Sequence, residues 1–279
     1  MFHNNKGLNL STKLLPYSVL IVALSWVILP LYWLVNTAFK PIVESTAYPP
    51  TFVPKTFTLD NFTYVLFEKG GLDALLDSLI VAGGTLSICL VLGVPAAYTL
   101  SRYKLANGTL PFTILSFKFM PPVVFSLAAF IFAIKLDLLD THLILILMNS
   151  LINLPFIIWL MKGFIDDVPR ELEEAAYLDG CSRFKTMLVI VLPNSINGII
   201  TCSIFAFIFA WNELLFSLML TDRDVKTFSK FIPGLTFGHA DPHWTGIAAM
   251  SLIVMLPIVL VSFYLNKYLV RGVTLGAVK

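Results

Sequence analysis

"ELEEAAYLDGCSRFKTMLVIVLP", residues 171–193, places a compact polar segment between long apolar runs. The segment begins with clustered acidic residues, followed by a glycine, then by basic residues and finally by an apolar stretch. Flanking signals favour two short helices joined by a tight turn. If the neighbouring apolar runs cross a bilayer, this pattern predicts a helix–turn–helix that lies on a membrane surface.

The apolar runs are long enough to cross a bilayer. Of the 279 residues, 57% are hydrophobic and 13% are charged, and the mean hydropathy is +0.84. Soluble domains carry about 25% charged residues. Five stretches of 21 to 27 residues contain no Asp, Glu, Lys or Arg: 14–39, 78–101, 141–161, 186–212 and 242–266. Each exceeds the roughly 20 residues that a transmembrane helix needs.

A sixth stretch, 110–134, is interrupted only by Lys118. The chain is therefore predicted to be an all-α membrane protein with six transmembrane helices. The runs are continuous rather than alternating, which excludes a transmembrane barrel. The first run is too long for the apolar part of a signal peptide and no clear cleavage site follows it, so we expect a retained first helix.

Basic residues predict the orientation. With six spans both termini share a side, and the tails and loops of that side hold eleven Lys and Arg residues, against seven on the other. Because basic residues near short loops stay in the cytoplasm, both termini should be cytoplasmic. Segment 171–193 then faces the cytoplasm, and loops 37–76 and 221–245 face outward.

The cytoplasmic segment carries its own start and stop signals. Asp166 or Asp167 can cap the first helix, Pro169 suits its first turn, Gly180 can adopt the left-handed conformation that closes it, and Ser182 can cap the second helix. Leu172, Ala175, Ala176 and Asp179 fall at helical offsets and form a narrow face of mostly small side chains. An ordinary solvated loop explains the same residues, whereas the acidic cluster disfavours an anchor lying on anionic lipid.

These residues resemble the EAA loop of ABC importer permeases, whose pattern is Glu-Ala-Ala, three residues, Gly, nine residues and Ile-x-Leu-Pro. Here the pattern is Glu174-Ala175-Ala176, Gly180 and 190–193. Further stretches are similar to carbohydrate importer permeases like the second membrane subunit of maltose transporters: "AAYTLSRYKLANG" (96–108), "LPFIIWLMKGF" (154–164), "FAWNELLFSLML" (209–220) and "RGVTLGAVK" (271–279). The chain departs from the family pattern at Cys181, where alanine is usual, and at Asp77.

The resemblance implies a type I importer permease fold and a transport role with no catalysis and no cofactor. Residues 1–75 would form the tail, first span and outer loop, 76–267 the permease core with its coupling loop at 166–193, and 268–279 the C-terminal tail. It further implies a bacterial inner-membrane location and these partners: a second homologous permease, two ABC ATPase subunits and an extracytoplasmic solute-binding protein. The chain has no P-loop, which fits a separate motor. It gives no sign of nucleic-acid binding.

The resemblance also implies roles for named residues. Glu174, Ala175, Ala176, Asp179 and Gly180 would couple the permease to the ATPase. The loop containing Thr236, Phe237 and Gly238 would reach the binding protein, and the tail 271–279 would contact the ATPase pair unless it is free.

Polar residues inside the spans are open to two interpretations. Lys118 lines the translocation path, or it snorkels or makes a structural hydrogen bond. Asn212 and Glu213 line the path, or they serve packing or an interface. Pro121 and Pro122 should break the third span.

Metal and disulfide sites are poorly supported. His239, Asp241 and His243 alternate, but two histidines and one acid in a loop are a weak metal signal. Cys89, Cys181 and Cys202 lack disulfide-like or zinc-like spacing, so we expect reduced thiols.

Three functions compete. The first is a permease subunit of an ATP-driven importer, for a sugar or for another solute. The second is an ion-coupled secondary transporter using Lys118 and Glu213, which the lack of detectable inverted repeats disfavours. The third is an intramembrane enzyme, for which no catalytic constellation is present.

Overall fold

A computed structural model describes residues 10–103, 108–236 and 243–276, with side-chain surroundings given between 16 and 263. Within these ranges the chain is helical and contains no strand, which confirms the all-α prediction. The helices are α1 (Leu10–Ala38), α2 (Ile42–Ser45), α3 (Asp60–Thr63), α4 (Gly71–Arg102), α5 (Leu110–Ser116), α6 (Val123–Lys135), α7 (His142–Asp166), α8 (Arg170–Leu178), α9 (Arg183–Thr186), α10 (Leu192–Asn194), α11 (Ile196–Trp211), α12 (Leu215–Leu220), α13 (Phe228–Gly234) and α14 (Trp244–Gly276).

Four helices among the described residues, α1, α4, α7 and α14, are long and apolar enough to cross a bilayer. Two bent pairs bring the number to six if each pair counts as one span. The first pair joins Leu110–Phe119 to Val123–Lys135 at 87°, and the second joins Arg183–Asn194 to Ile196–Trp211 at 83°. The predicted count of six is confirmed on that basis, with two of the spans broken.

The bend of the third span lies where the paired prolines predict it. A short 3-10 turn, Phe117–Phe119, follows α5, Met120 is extended, and Pro122 precedes α6. Proline lacks a backbone N–H and disfavours helical geometry in the residue before it. The prediction of a break at Pro121 and Pro122 is confirmed.

The bend of the fifth span was not predicted. A π-helical turn, Met187–Val191, leads into Pro193, and the chain changes direction at Ser195. The hydroxyl of Ser195 donates to the carbonyl of Val191 at 2.7 Å. This bond competes with the helical pattern locally, and a single proline two residues after the π-helical turn gave no clear signal of the change in direction.

By their contacts the residues form two compact units, Met1–Lys69 with Leu235–Ile253, and Gly70–Gly234 with Val254–Lys279. In the second unit α4, α7 and α11 pack together around a core that contains Cys89, Ile157 and Cys202. Glycine permits one of the closest approaches: a Cβ on Gly198 of α11 would lie 2.5 Å from the Cβ of Phe164 on α7. All three cysteines are free thiols.

In the first unit, the loop after α1 folds back on the end of that helix. The amide of Asn61 donates to the carbonyls of Ala38 at 2.8 Å and Lys40 at 2.7 Å. The carbonyl of Thr51 accepts from Asn36 at 3.2 Å and from the Lys40 ammonium. These bonds give the loop a defined shape.

At the end of the second unit opposite α8, one carboxylate organises a loop. Asp140, which has a φ of 57°, accepts hydrogen bonds of 2.8 to 3.1 Å from the four consecutive backbone N–H groups of residues 222–225. Nearby, Asp77 accepts from the backbone of Lys226 at 2.8 Å and lies 2.7 Å from a ring nitrogen of His142. Burial alone raises the pKa of the Asp140 carboxyl, but the four backbone bonds outweigh it and lower that pKa to about 2.

Candidate functional site

The polar segment singled out in the sequence forms α8, a tight turn and α9. The predicted cap of α8 by Asp166 or Asp167 is wrong, because α7 continues to Asp166 with Asp167 as its C-cap, and α8 begins only at Arg170 after Pro169. The extension of α7 buries Ile165 fully. Asp166 instead accepts from Ser101 and Lys162, each at 2.5 Å.

The turn after α8 follows its predicted design. Gly180 has a φ of 81°, its N–H donates to Tyr177 at 3.0 Å, and the N–H of Cys181 donates to Ala176 at 2.9 Å. This is the Schellman pattern, which favours glycine at the left-handed position. Ser182 then caps α9 by accepting from the backbone of Lys185 at 3.4 Å, so both turn predictions are confirmed.

One face of α8 is buried against the end of α4. Glu173 is only 4% exposed and forms an ion pair of 2.5 Å with Arg102, the last residue of α4. Its second carboxylate oxygen accepts from Tyr98 at 2.7 Å and from Tyr177 at 3.4 Å. Ala176, next on this face, is also buried. A charge that is removed from water is stable only with such partners.

Two more arginines bond α8 and α9 to the same end of α4 and to the residue that follows it. Arg170 donates to the carbonyl of Ser101 at 3.2 Å, and Arg183 donates to the Tyr103 hydroxyl at 2.5 Å with its guanidinium over that ring. Arg102 also donates to the carbonyl of Val168 at 3.1 Å. The helix–turn–helix is therefore bonded, at the start of each of its helices, to the end of a membrane span and the residue that follows it.

The opposite face of α8 carries most of the predicted coupling residues. Glu174, Ala175, Asp179 and Gly180 are exposed, whereas Ala176 faces inward. The sequence interpretation missed Glu173. The sequence signal for Glu173 was weak, because three glutamates lie within four positions and nothing in the sequence shows which one turns toward Arg102. Tyr177, four residues later, lies on the same helix face as Glu173 and was the one available signal.

Lys118 lies in the broken third span. Its ammonium donates to the side-chain oxygen of Asn153 on α7 at 2.8 Å and lies 4.5 Å from the ring centroid of Phe209 on α11. Phe209 belongs to an aromatic cluster with Phe156 and Phe205. The structure therefore places Lys118 in a structural hydrogen bond with a cation–π contact.

Asn212 and Glu213 follow α11. The Asn212 amide donates to the carbonyl of Ile208 at 2.8 Å and is exposed. The Glu213 carboxylate accepts from the backbone of Phe216, in the first turn of α12, at 2.9 Å. Within the described part of the chain no hydrogen bond or ion pair joins Lys118 to Glu213, so the structure does not assemble the proton relay considered for a secondary transporter.

The remaining predicted residues lie in the loop before α14. Thr236 is described as part of a turn, whereas Phe237, Gly238, His239 and Asp241 fall outside the described residues. His243 accepts from the backbone of Gly246 at 3.1 Å and stacks on Tyr64 with centroids 4.2 Å apart. Across 10–103, 108–236 and 243–276, no group of three or more His, Cys, Asp or Glu side chains could hold a metal ion.

Comparison with known proteins identifies a family. Residues 89–275 match the family described as "Binding-protein-dependent transport system inner membrane component". The chain is 32% identical, over 96% of its length and 97% of the relative's, to the probable ABC transporter permease protein y4oR of Sinorhizobium fredii. It is 29% identical, over 95% and 96% of the two chains, to the diacetylchitobiose uptake system permease protein DasC of Streptomyces coelicolor.

Solved structures show the same fold. A bacterial ABC transporter involved in the import of the acidic polysaccharide alginate aligns with a TM-score of 0.79 at 17% identity, covering 96% of this chain and 99% of the other. An inward-facing MetNI methionine ABC transporter aligns with a TM-score of 0.56 at 16% identity, covering 76% and 97%.

Proposed function

Because this chain belongs to the family of binding-protein-dependent transport system inner membrane components, we propose that it forms half of a sugar translocation pathway driven by separate ATPases. It is a multi-pass inner-membrane permease subunit of an importer. A second homologous permease supplies the other half, two ABC ATPase subunits supply the energy, and a solute-binding protein delivers the cargo.

The names of similar permeases support a sugar as cargo. Besides the diacetylchitobiose permease, the chain is 30% identical to the trehalose/maltose permease MalG of Thermococcus litoralis and 29% identical to the melibiose/raffinose/stachyose permease MelC of Bacillus subtilis. The alternative is a non-sugar solute, because the methionine transporter shares the fold.

The attachment of α8 to α4 supports a coupling role for the cytoplasmic segment. Glu173 and Arg102 join the polar helix to a membrane span, while Glu174, Ala175, Asp179 and Gly180 remain accessible. Movement imposed on α8 by a docked ATPase would therefore pass directly into α4, with little freedom for the helix to rotate alone. Ala176 contributes by letting α8 pack closely.

The orientation follows from the distribution of basic residues. Both termini and α8 lie in the cytoplasm, and the loops 37–76 and 221–245 face outward. The loop that contains Thr236, Phe237 and Gly238 then has the position needed to contact the binding protein. Lys118, Asn212 and Glu213 lie in or beside broken or bent spans, and we retain them as candidate path residues.

Charge reversal at Glu174 tests the coupling role. The complete importer is expressed with Glu174→Lys, with Glu171→Lys as a matched control on an exposed position of the same helix. We expect Glu174→Lys to abolish substrate-stimulated ATP hydrolysis or ATPase co-purification while the subunit still inserts, and the control to remain active. Normal uptake with Glu174→Lys would refute this coupling role.

A further inference from the structure

The first compact unit contains a cavity of about 310 Å³ at the end of the first span. Its walls come from the last turns of α1, the loop around α2 and the first turns of α14. None of the functions assigned above uses it. The volume falls at the lower end of the range of small-molecule sites, roughly 300–1,000 Å³.

Two tryptophans and two charged side chains face this cavity. Trp33 and Trp244 are 41% and 51% exposed, so a large part of each indole is uncovered. Trp33 packs edge-on against Phe52, with ring centroids 5.9 Å apart, which fixes its orientation. Glu44 adds an acceptor and Thr37, Ser45 and Thr51 add hydroxyls, whereas Lys40 lines the wall but is only 2% exposed.

The charged groups are held in place by the surrounding loop. The Lys40 ammonium donates to the Thr51 carbonyl and lies 5.0 Å from the Trp33 ring centroid. The Glu44 carboxylate accepts from the Thr51 hydroxyl at 2.7 Å and from the backbone of Lys55 at 2.9 Å. The backbone bond from Lys55 and the hydroxyl bond from Thr51 lower the pKa of Glu44, so the carboxylate is ionised at neutral pH.

These charges exclude several ligand classes. A cationic ligand would meet the Lys40 ammonium, which already covers one face of Trp33. An anionic ligand would meet the ionised Glu44 carboxylate. A purely apolar ligand would remove water from the Glu44 carboxylate without replacing its hydrogen bonds. A neutral ligand with an apolar face and a rim of hydroxyls satisfies every group in the wall.

We propose that this cavity binds one ring of a neutral saccharide at the outer end of the first span. The uncovered part of the Trp33 indole and the indole of Trp244 contact the C–H faces of the ring, and Glu44 accepts from its hydroxyls. The proposal rests on the orientation and the sugar import proposed above. It adds a saccharide site on this subunit to the pathway proposed above.

The test uses the complete importer, with trehalose, maltose, melibiose and diacetylchitobiose as probes. Each probe is added to the purified complex, and oxidation of individual tryptophans is followed by mass spectrometry. We expect a transported probe to protect Trp33 and Trp244 but not Trp26, a residue of α1 that is 83% exposed and lies outside the cavity. Protection of Trp33 in the complex before any sugar is added would mean that another chain fills the cavity, which would overturn the proposal.

Uptake kinetics give a second readout. We expect Trp244→Ala and Glu44→Gln each to raise the apparent KM about fivefold, equivalent to about 1 kcal/mol, with the maximal rate unchanged and Trp26→Ala as the matched control.

If a probe is transported but the variants match Trp26→Ala and no tryptophan is protected, the site is refuted while the importer function stands. If no probe is transported and none protects, both the site and the sugar proposal are refuted. Protection without transport would support the site and count against import of that sugar.

Discussion

Arg102 and Glu173 form an ion pair of 2.5 Å in which the two side chains are 8% and 5% exposed. One residue ends a membrane span and the other belongs to the polar helix bonded to that end. Tyr98 adds a hydrogen bond to the same carboxylate. The three side chains make the end of α4 and the middle of α8 a single bonded assembly, so the two helices are expected to move together.

Breaking this pair should be costly. Glu173→Gln leaves the Arg102 guanidinium buried without a counter-charge, and breaking a buried pair in this way typically costs about 3–5 kcal/mol. We expect a lower Tm of the detergent-solubilised importer and loss of substrate-stimulated ATP hydrolysis. Thermal unfolding and ATPase assays measure the two effects.

Glu174→Gln provides the control for that change, because Glu174 is exposed on the same helix. It should change the free energy of unfolding by no more than about 0.5 kcal/mol, as surface substitutions usually do, and so leave the Tm close to that of the parent protein. The double variant Arg102→Met with Glu173→Leu should recover part of the lost stability. Equal Tm values for Glu173→Gln and Glu174→Gln would contradict a structural role for the pair.

Gly180 should tolerate only residues that accept a left-handed backbone. No atom lies within 4 Å of a Cβ built at this position, so its φ of 81° is the constraint rather than space. Gly180→Val should cost about 1–2 kcal/mol and misplace α9 relative to α8. Gly180→Asn should retain most of the coupling, because asparagine adopts this conformation more readily. ATP hydrolysis stimulated by substrate compares the two variants, and equal losses would show that another property of glycine matters.

Gly198 should tolerate no side chain at all. Because an added Cβ would lie 2.5 Å from the Cβ of Phe164, the clash involves an atom that cannot rotate away. Overpacking of this kind costs about 1–3 kcal/mol, so Gly198→Ala should lower the Tm. Gly163→Ala, where nothing lies within 4 Å of the new Cβ, is the matched control, and identical Tm values for the two variants would contradict the close approach of α7 and α11.

Asp140 should stabilise the loop at residues 222–225 only while it is ionised. Its pKa is lowered from an ordinary value of 3.8 to about 2, so the folded state favours the carboxylate. The stabilisation is then fully present above about pH 4 and is lost as the pH falls through about 2. At neutral pH, Asp140→Asn should release the loop and speed tryptic cleavage after the exposed Arg223, measured by mass spectrometry. Unchanged cleavage would show that the four backbone bonds do not hold the loop.

Much of the architecture could be read from the sequence, because bilayer thickness imposes length on every span. Five charge-free stretches and a sixth interrupted only by Lys118 located the six spans, and Pro121 with Pro122 located one bend. The bend at Ser195 was not predicted, since a hydroxyl that bonds to the carbonyl of Val191 leaves no recognisable pattern in the sequence. The cap of α8 was misplaced for a related reason: Asp166 reads equally well as a helix start or as a partner of Ser101, and only packing distinguishes them.

The candidate site likewise contains residues that could be predicted from the sequence and residues that could not. Gly180 and Ser182 were predictable because turn geometry restricts residue type locally. Glu173 was not, because its importance depends on Arg102, a residue 71 positions away. The saccharide cavity is formed by three segments that are distant in sequence, and no sequence pattern predicts that they come together.

The bent third span has a consequence for the amount of this subunit that a cell can maintain. Irregular backbone at membrane depth is tolerated only where protein covers it or water fills a channel beside it. Around this bend Phe119 and Val123 are 75% and 58% exposed. Copies synthesised in excess of whatever covers the bend would be recognised as orphans and destroyed by membrane proteases, so the abundance of the subunit should track its assembly rather than its transcription.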